Sequence, residues 1–268
     1  MTHPPRALPT ALVTGASSGI GQSLAECFAG AGHNLVLVAR SADKLQALAE
    51  TLQARHGVQV WVEPADLARP DAAATLSATL QQQGRAVDVL VNCAGVLEQS
   101  AFATMTPAQH QQIIDLNISG LTAMLAHFVA PMVQRGQGRV LNVASIAAFQ
   151  PVPTLATYAA SKAYVLSLSE SLAEELKGSG VTVTTLCPGI TATPMLTSAK
   201  DANAKMSQIP GFLIGAVDDV ARLGFEACMK GDAICVPGAL NRAAMIASRG
   251  TPKWLVRRIG GVLGRKAV

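Results

Sequence analysis

Tyr158 and Lys162 stand four residues apart in TYAASKAYVLSLSESLAEEL, and Ser145 closes the apolar run RVLNVAS thirteen residues upstream of the tyrosine. Side chains at i and i+4 share one helix face, so this spacing sets a phenol beside an ammonium. A hydroxyl, a phenol and a lysine gathered at one point can hold a carbonyl oxygen and pass it a proton, the chemistry that interconverts ketones and alcohols. A free phenol titrates near pH ~10 and is a poor base at neutrality. A cation within ~4–6 Å favours the phenolate, and the start of a helix, where Tyr158 falls, pulls the same way. The expectation is a phenol whose pKa is lowered toward the working range. Y-x-x-x-K is also the pattern of a surface tyrosine beside a solvated lysine, so the surrounding elements must decide.

Those elements begin with a seat for a hydride carrier. ALVTGA at 11–16 is a short apolar strand running into Gly15, and Gly19 and Gly21 follow in TGASSGIG, with Ser17, Ser18 and Ile20 inside the turn. Ile20, Leu24, Cys27, Phe28 and Ala31 then recur at helical spacing. Strand, glycine turn and helix in that order let backbone N–H groups and a helix N-terminus approach a pyrophosphate. The spacing is G-x-x-x-G-x-G, not G-x-G-x-x-G.

The remaining pattern alternates. Strands are predicted near 10–14, 34–39, 58–62, 87–92, 138–144, 181–187 and 233–236. Helices are predicted near 19–31, 41–55, 70–83, 106–134, 157–178 and 218–230. Continuous apolar runs such as VDVLV and LVLVA suit a parallel sheet covered on both faces. The expected fold class is α/β, a doubly wound Rossmann-type parallel sheet in three layers. No Pro/Gly/Ser-rich linker divides the chain, so residues 1–268 are read as a single dinucleotide-binding and catalytic domain. Its core spans 9–238, a substrate lid spans 195–215, and a basic helical extension spans 239–268.

In order along the chain come TGASSGIG at 14–21, Asp66–Leu67, NCAG at 92–95, Asn117, Ser145, Tyr158-x-x-x-Lys162 and PGITATP at 188–194. Together they resemble the short-chain dehydrogenase/reductase family in its single-domain branch, over about residues 9–238. The resemblance implies that Tyr158 is the general acid in ketone reduction and the base in alcohol oxidation, and that Ser145 polarises the substrate oxygen. It implies that Lys162 lowers the phenol's pKa and binds the nicotinamide ribose. Asn117 would hold a water linking Lys162 to solvent, and its amide needs a partner in an otherwise uncharged helix. Asp66, with Leu67 beside it, would meet the adenine ring. Asn92, Ala94 and Gly95 would line the adenosine side, and Pro188, Gly189, Ile190 and Thr193 would hold the nicotinamide. Cys93 stands where asparagine is commoner. The resemblance further implies a homodimer or homotetramer joined through helices 106–134 and 157–178, where Ala159, Ala160 and Ala163 permit close approach.

The second strand, HNLVLVAR, bears on the choice of cofactor. An NAD enzyme of this fold places an acidic side chain at its end for the ribose 2′-OH. Here that place is the neutral Ala39, followed by Arg40, whose guanidinium suits a 2′-phosphate. Ser17 and Ser41 can add hydroxyl donors. NADPH is expected over NADH, and with it the reductive direction.

Composition adds boundaries. Five cysteines lack any C-x-x-C pair, and five scattered histidines argue against a metal site, so reduced thiols in a cytoplasmic protein are expected. MTHPPRALPT lacks the apolar core of a signal peptide. Residues 116–134 are uncharged but interrupted by Asn117, Ser119, Thr122, His127 and Pro131, which favours a buried or subunit-facing helix over a bilayer span. From Ala233 onward there are seven Lys/Arg and no Asp/Glu, whereas the rest carries 14 basic and 17 acidic residues. Trp254, Leu255, Ile259, Val262 and Leu263 recur there at helical spacing. Such a helix packs on its own body or a partner subunit, or makes peripheral contact with an anionic membrane. The acidic body and the lack of a reading motif argue against nucleic acid. Met195, Leu196, Met206, Ile209, Phe212 and Leu213 give the lid segment an apolar character. The expected function is NADPH-dependent reduction of an apolar ketone or aldehyde, such as a 3-oxoacyl thioester, a steroid or a xenobiotic ketone. The alternative is a catalytically silent NADP-binding regulatory or scaffold protein.

Overall fold

The computed structural model describes residues 8–197 and 211–250. Seven strands form one parallel sheet: β1 (Thr10–Thr14), β2 (Asn34–Ala39), β3 (Val60–Pro64), β4 (Val89–Asn92), β5 (Gly138–Val143), β6 (Val181–Leu186) and β7 (Ile234–Cys235). Their order across the sheet is 3-2-1-4-5-6-7. The longer helices are α1 (Gly19–Gly30), α2 (Ala42–His56), α3 (Ala72–Gln82), α4 (Pro107–Ile114), α5 (Leu121–Gln134), α6 (Ala156–Glu175), α7 (Val217–Lys230) and α8 (Ala239–Gly250).

Central strands are unbroken apolar runs because helices cover both faces of the sheet. On one face Leu24 and Phe28 of α1, Leu45 and Leu52 of α2, and Val220 and Cys228 of α7 pack against Val13, Leu35, Leu37 and Val91. On the other, Leu76 and Leu80 of α3, Met124 and Met132 of α5, and Val165 and Leu166 of α6 meet Leu12, Val36, Leu90 and Val140. This is the three-layer, Rossmann-type arrangement expected from the alternation. Strand order reverses direction between β1 and β4, and a crevice opens at such a switch point beyond the carboxyl ends of the strands.

Several boundaries move by one to three residues. β3 begins at Val60 rather than near 58, and β7 contracts to Ile234–Cys235. The larger departure lies at 106–134, where the sequence predicts one helix. α4 starts from a capping box in which the Gln109 N–H donates to Thr106 Oγ1 at 3.3 Å and the Thr106 N–H to Gln109 Oε1 at 2.8 Å. The helix then widens into a π turn, Asp115–Gly120, before α5 resumes. Two contacts accompany the widening. Asn117 reaches inward to the backbone of Val96, and Gly120 lies so close to the Leu67 carbonyl that a Cβ would collide with it. Isolated π turns in α-helices often mark functional sites. By length and composition Pro107–Gln134 could cross a membrane, but Met124, Leu125, Phe128 and Met132 are buried under the sheet. Most of the lid segment and the apolar stripe at 254–263 lie outside the described residues.

Candidate active site

The crevice is a cleft of about 870 Å³ running from the glycine turn to the ends of β5 and β6. At its base the turn after β1 is tied to the turn after β4. Thr14 Oγ1 donates to the Val91 carbonyl at 3.2 Å and accepts from the N–H groups of Cys93 and Ala94 at 3.0 and 3.1 Å. Gly15 has φ +66°, and a Cβ there would lie 2.9 Å from Ala94 Cα. A Cβ on Gly21 would run into the Gly15 carbonyl. The close approach of three backbones therefore requires both glycines. Ser18 precedes α1 in extended conformation and makes no capping bond, so side chains leave the first-turn N–H groups open to an anion. Gly15, Ser17, Ser18, Gly19, Ile20 and Gly21 all line the cleft.

Arg40 follows β2 on the same rim, beside Ala39 and Ser41. It is exposed, and among the described residues no carboxylate pairs with it. Asp66 and Leu67, after the adjacent β3, also line the cleft, the Asp66 carboxylate accepting from the Ala68 N–H at 3.2 Å. This cradle of small residues, open N–H groups and an unpaired guanidinium fits a phosphorylated dinucleotide.

At the other end stand the groups that could do chemistry. Ser145 follows β5 in extended conformation and accepts from the Ala147 N–H at 3.1 Å. Its neighbours are locked to the strand-end of β6 by Ala144 N–H to Leu186 O (2.7 Å) and Ile146 N–H to Pro188 O (2.9 Å). Tyr158, in the first turn of α6, and Lys162, one turn on, are 8% and 5% exposed. Lys162 Nζ donates to the Val143 carbonyl at 2.9 Å and lies 5.7 Å from the Tyr158 ring centroid. Burial pushes the Lys162 ammonium down to about 8.

The phenol departs from expectation. Burial pushes Tyr158 up to about 12, and the neighbouring Ser145 hydroxyl only partly offsets this. Desolvation outweighs the attraction anticipated from i, i+4 spacing because Lys162 directs its ammonium to the Val143 carbonyl, and the pair is sealed between α6 and the sheet. A phenol raised in this way stays protonated at neutral pH and is poised as an acid.

Asn117, on the π turn, is 1% exposed. Its Oδ1 accepts from the Val96 N–H at 2.9 Å, and its Nδ2 donates to the Val96 carbonyl at 3.0 Å and to Ser161 Oγ at 3.1 Å. Gly95 lies between the two ends of this network, since a Cβ there would be 3.3 Å from Asn117 Oδ1 and 3.4 Å from Lys162 Nζ. The structure thus brings Ser145, Tyr158 and Lys162 to one end of the cleft, with Pro188, Gly189, Ile190 and Thr193 alongside. Ala94 and Gly95 line the cleft, whereas Asn92 and Asn117 stand behind its wall. Asn92 is 3% exposed and donates to Asn142 Oδ1 at 2.9 Å, and Asn142 in turn donates to Ser169 Oγ at 2.9 Å. This chain ties β4 to α6, the helix that carries Tyr158. Asn142, a polar side chain inside the apolar stretch VLNVA, is the trace it leaves in the sequence.

The family model for short chain dehydrogenases matches residues 9–204. The chain belongs to that family. A 3-oxoacyl-(acyl-carrier-protein) reductase of Staphylococcus epidermidis is 33% identical over 215 residues, covering 79% of this chain and 88% of that protein. The glycine betaine reductase ATRR of Emericella nidulans is 37% identical over 214 residues, 79% of this short-chain dehydrogenase but 17% of that much longer protein. Among solved structures, a short-chain dehydrogenase from Sphingobium yanoikuyae in complex with NADPH superposes with a TM-score of 0.80 at 34% identity, covering 90% of this chain and 94% of that one. The enzyme is an oxidoreductase acting between CH–OH and C=O groups.

Proposed function

We propose that this short-chain dehydrogenase reduces a ketone or aldehyde flanked by apolar groups, using NADPH. The observation that carries this reading is the buried Tyr158 phenol beside the Ser145 hydroxyl, in the same cleft as the glycine cradle and Arg40. When bound in this cradle, NADPH would supply the hydride for the carbonyl carbon. Ser145 donates to the carbonyl oxygen and orients it, and Tyr158 gives that oxygen its proton as the charge develops. The alcohol leaves, and Tyr158 must regain a proton. Lys162, 5.7 Å from the Tyr158 ring centroid, would return it, and Asn117, which closes the Val96 turn beside Gly95, would hold the water that connects Lys162 to solvent. Asp66, Leu67, Ala94 and Gly95 would receive the adenosine end, and the 188–193 turn the nicotinamide. Leu97, Val152, Leu155, Met195 and Leu196 make the substrate end apolar. The assembled site supports turnover over a silent scaffold role. The measurement that tests this reading is NADPH consumption against a panel of ketones, aldehydes and 3-oxoacyl thioesters; tight NADPH binding with no turnover would sink it.

The raised phenol pKa carries a sign. Reduction needs Tyr158 protonated, which holds throughout the range below about 12. Oxidation needs the phenolate, a fraction that grows about tenfold per pH unit below that value. We therefore expect kcat/KM for alcohol oxidation to climb steadily from pH 7 to 10, while that for ketone reduction does not rise. Oxidation already saturated at pH 7 would mean a phenol acidified in the free enzyme.

The enzyme is read as a cytoplasmic homo-oligomer joined through α5 and α6. Tyr164 on α6 is exposed and its hydroxyl lies 2.9 Å from Thr122 Oγ1 on α5, presenting an outward surface that also includes exposed Val133. Sedimentation velocity should find a dimer or tetramer, and Tyr164→Glu should shift it toward monomer. A monomeric parent protein at micromolar concentration would remove this assignment.

A further inference from the structure

From the sequence, the basic extension beyond residue 238 reads as a helix packed on some surface. Its described part, α8, packs on the body of the protein at the cleft. Asn241 donates through Nδ2 to the Pro237 carbonyl at 2.8 Å, and its amide lies flat against Gly189, where a Cβ would collide with it. Met245, one turn on, is half-buried against the same core that receives α6, beside the turn Ile146–Phe149. With Asn241 and Met245 directed at the body, the face carrying Ala244 and Ala247 turns to the cleft, which both residues line. They are three residues apart and so stand one above the other on that face. Ile246 is 66% exposed on the opposite side. Each alanine offers only a methyl group to a space also bounded by Tyr158, Val152 and Leu196.

We propose that α8 is the substrate-side wall of the cleft and that Ala244 and Ala247 set the size of the carbonyl compound admitted, a ketone with a bulky apolar group. This rests on the reductase reading above. A side chain larger than alanine at either position would project into the volume that the bulky group occupies. Small ketones would clear it.

The test compares the full-length enzyme with Ala244→Phe and Ala247→Leu on a homologous ketone series from butanone to bicyclic and aryl ketones, at saturating NADPH. The wild type should favour the bulky members. Each variant should lose at least about tenfold in kcat/KM on them, the scale on which hydrophobic pockets discriminate size, and keep butanone turnover within about threefold. NADPH affinity and thermal midpoint should hold, and Ile246→Phe on the solvent side should keep the wild-type profile. Equal loss on large and small ketones, no loss on either, or a wild type that prefers butanone would overturn the wall. A wild type that turns over no ketone overturns the reductase reading and the wall with it.

Discussion

Replacing Tyr158 by phenylalanine is expected to cut ketone reduction about 10²- to 10⁴-fold, the usual contribution of a positioned general acid, while NADPH affinity stays within a few-fold. The phenol sits in a site from which water is largely excluded, so solvent cannot readily take over the proton. Its aromatic ring, which packs with Ala147, Ala159 and the half-buried Leu97, Val152 and Leu155, would be kept by phenylalanine, and so would the local fold. In the variant Ser145 still accepts from the Ala147 N–H, and its hydroxyl proton, which loses the phenol oxygen, still faces the cleft. The loss should therefore fall on kcat, with little effect on thermal midpoint. Fluorescence titration with NADPH alongside steady-state kinetics separates the two. A variant that keeps more than about a tenth of wild-type turnover would transfer the acid role from Tyr158 to another group.

The contrast between this phenol and its sequence reading shows where linear information ends. Four-residue spacing places Tyr158 and Lys162 on one helical face, and the structure does set them there. What spacing does not contain is depth. α6 lies between the sheet and the 146–149 turn, and the resulting desolvation raises one pKa and lowers the other. The glycine cradle was legible because its requirement is local: strand, turn and helix are contiguous, and the collision that each Cβ would make involves residues fixed by adjacent strand ends. The sheet was legible for a similar reason, since a doubly covered strand must be continuously apolar. The π turn was not. It goes with a partner 21 residues away, Val96, whose backbone N–H and carbonyl both bond to the inward-turned Asn117. Helical periodicity runs straight through 106–134 and hides the extra residue. α8 was legible as a basic helical stretch, but its place in the cleft was not. Its inner face is carried by Asn241, Ala244 and Met245, and small or neutral side chains give no hydrophobic stripe from which a cleft wall could be inferred.

Arg40→Ala is expected to weaken NADPH about 10- to 100-fold and leave NADH within about twofold. Hydrogen bonds to a charged group contribute about 1.5–3 kcal/mol in general, and each 1.4 kcal/mol is a factor of about ten. Exposure of Arg40 and salt screening favour the lower end of that range. Because no carboxylate among the described residues competes for the guanidinium, its removal leaves no orphaned acid to confuse the result. Ser17 and Ser41 on the same rim would preserve some residual preference for the phosphorylated cofactor. The reciprocal change, Ala39→Asp, places a carboxylate at the end of β2, where it can accept from a ribose 2′-OH and repel a 2′-phosphate. The double variant should therefore prefer NADH outright, and the NADPH affinity of the parent should fall with ionic strength more steeply than its NADH affinity. Calorimetric titration of both cofactors at two salt concentrations measures all of these quantities. An equal loss of NADH and NADPH on Arg40→Ala would mean that the guanidinium holds the common adenosine or pyrophosphate portion, and would take from Arg40 its role in choosing the cofactor.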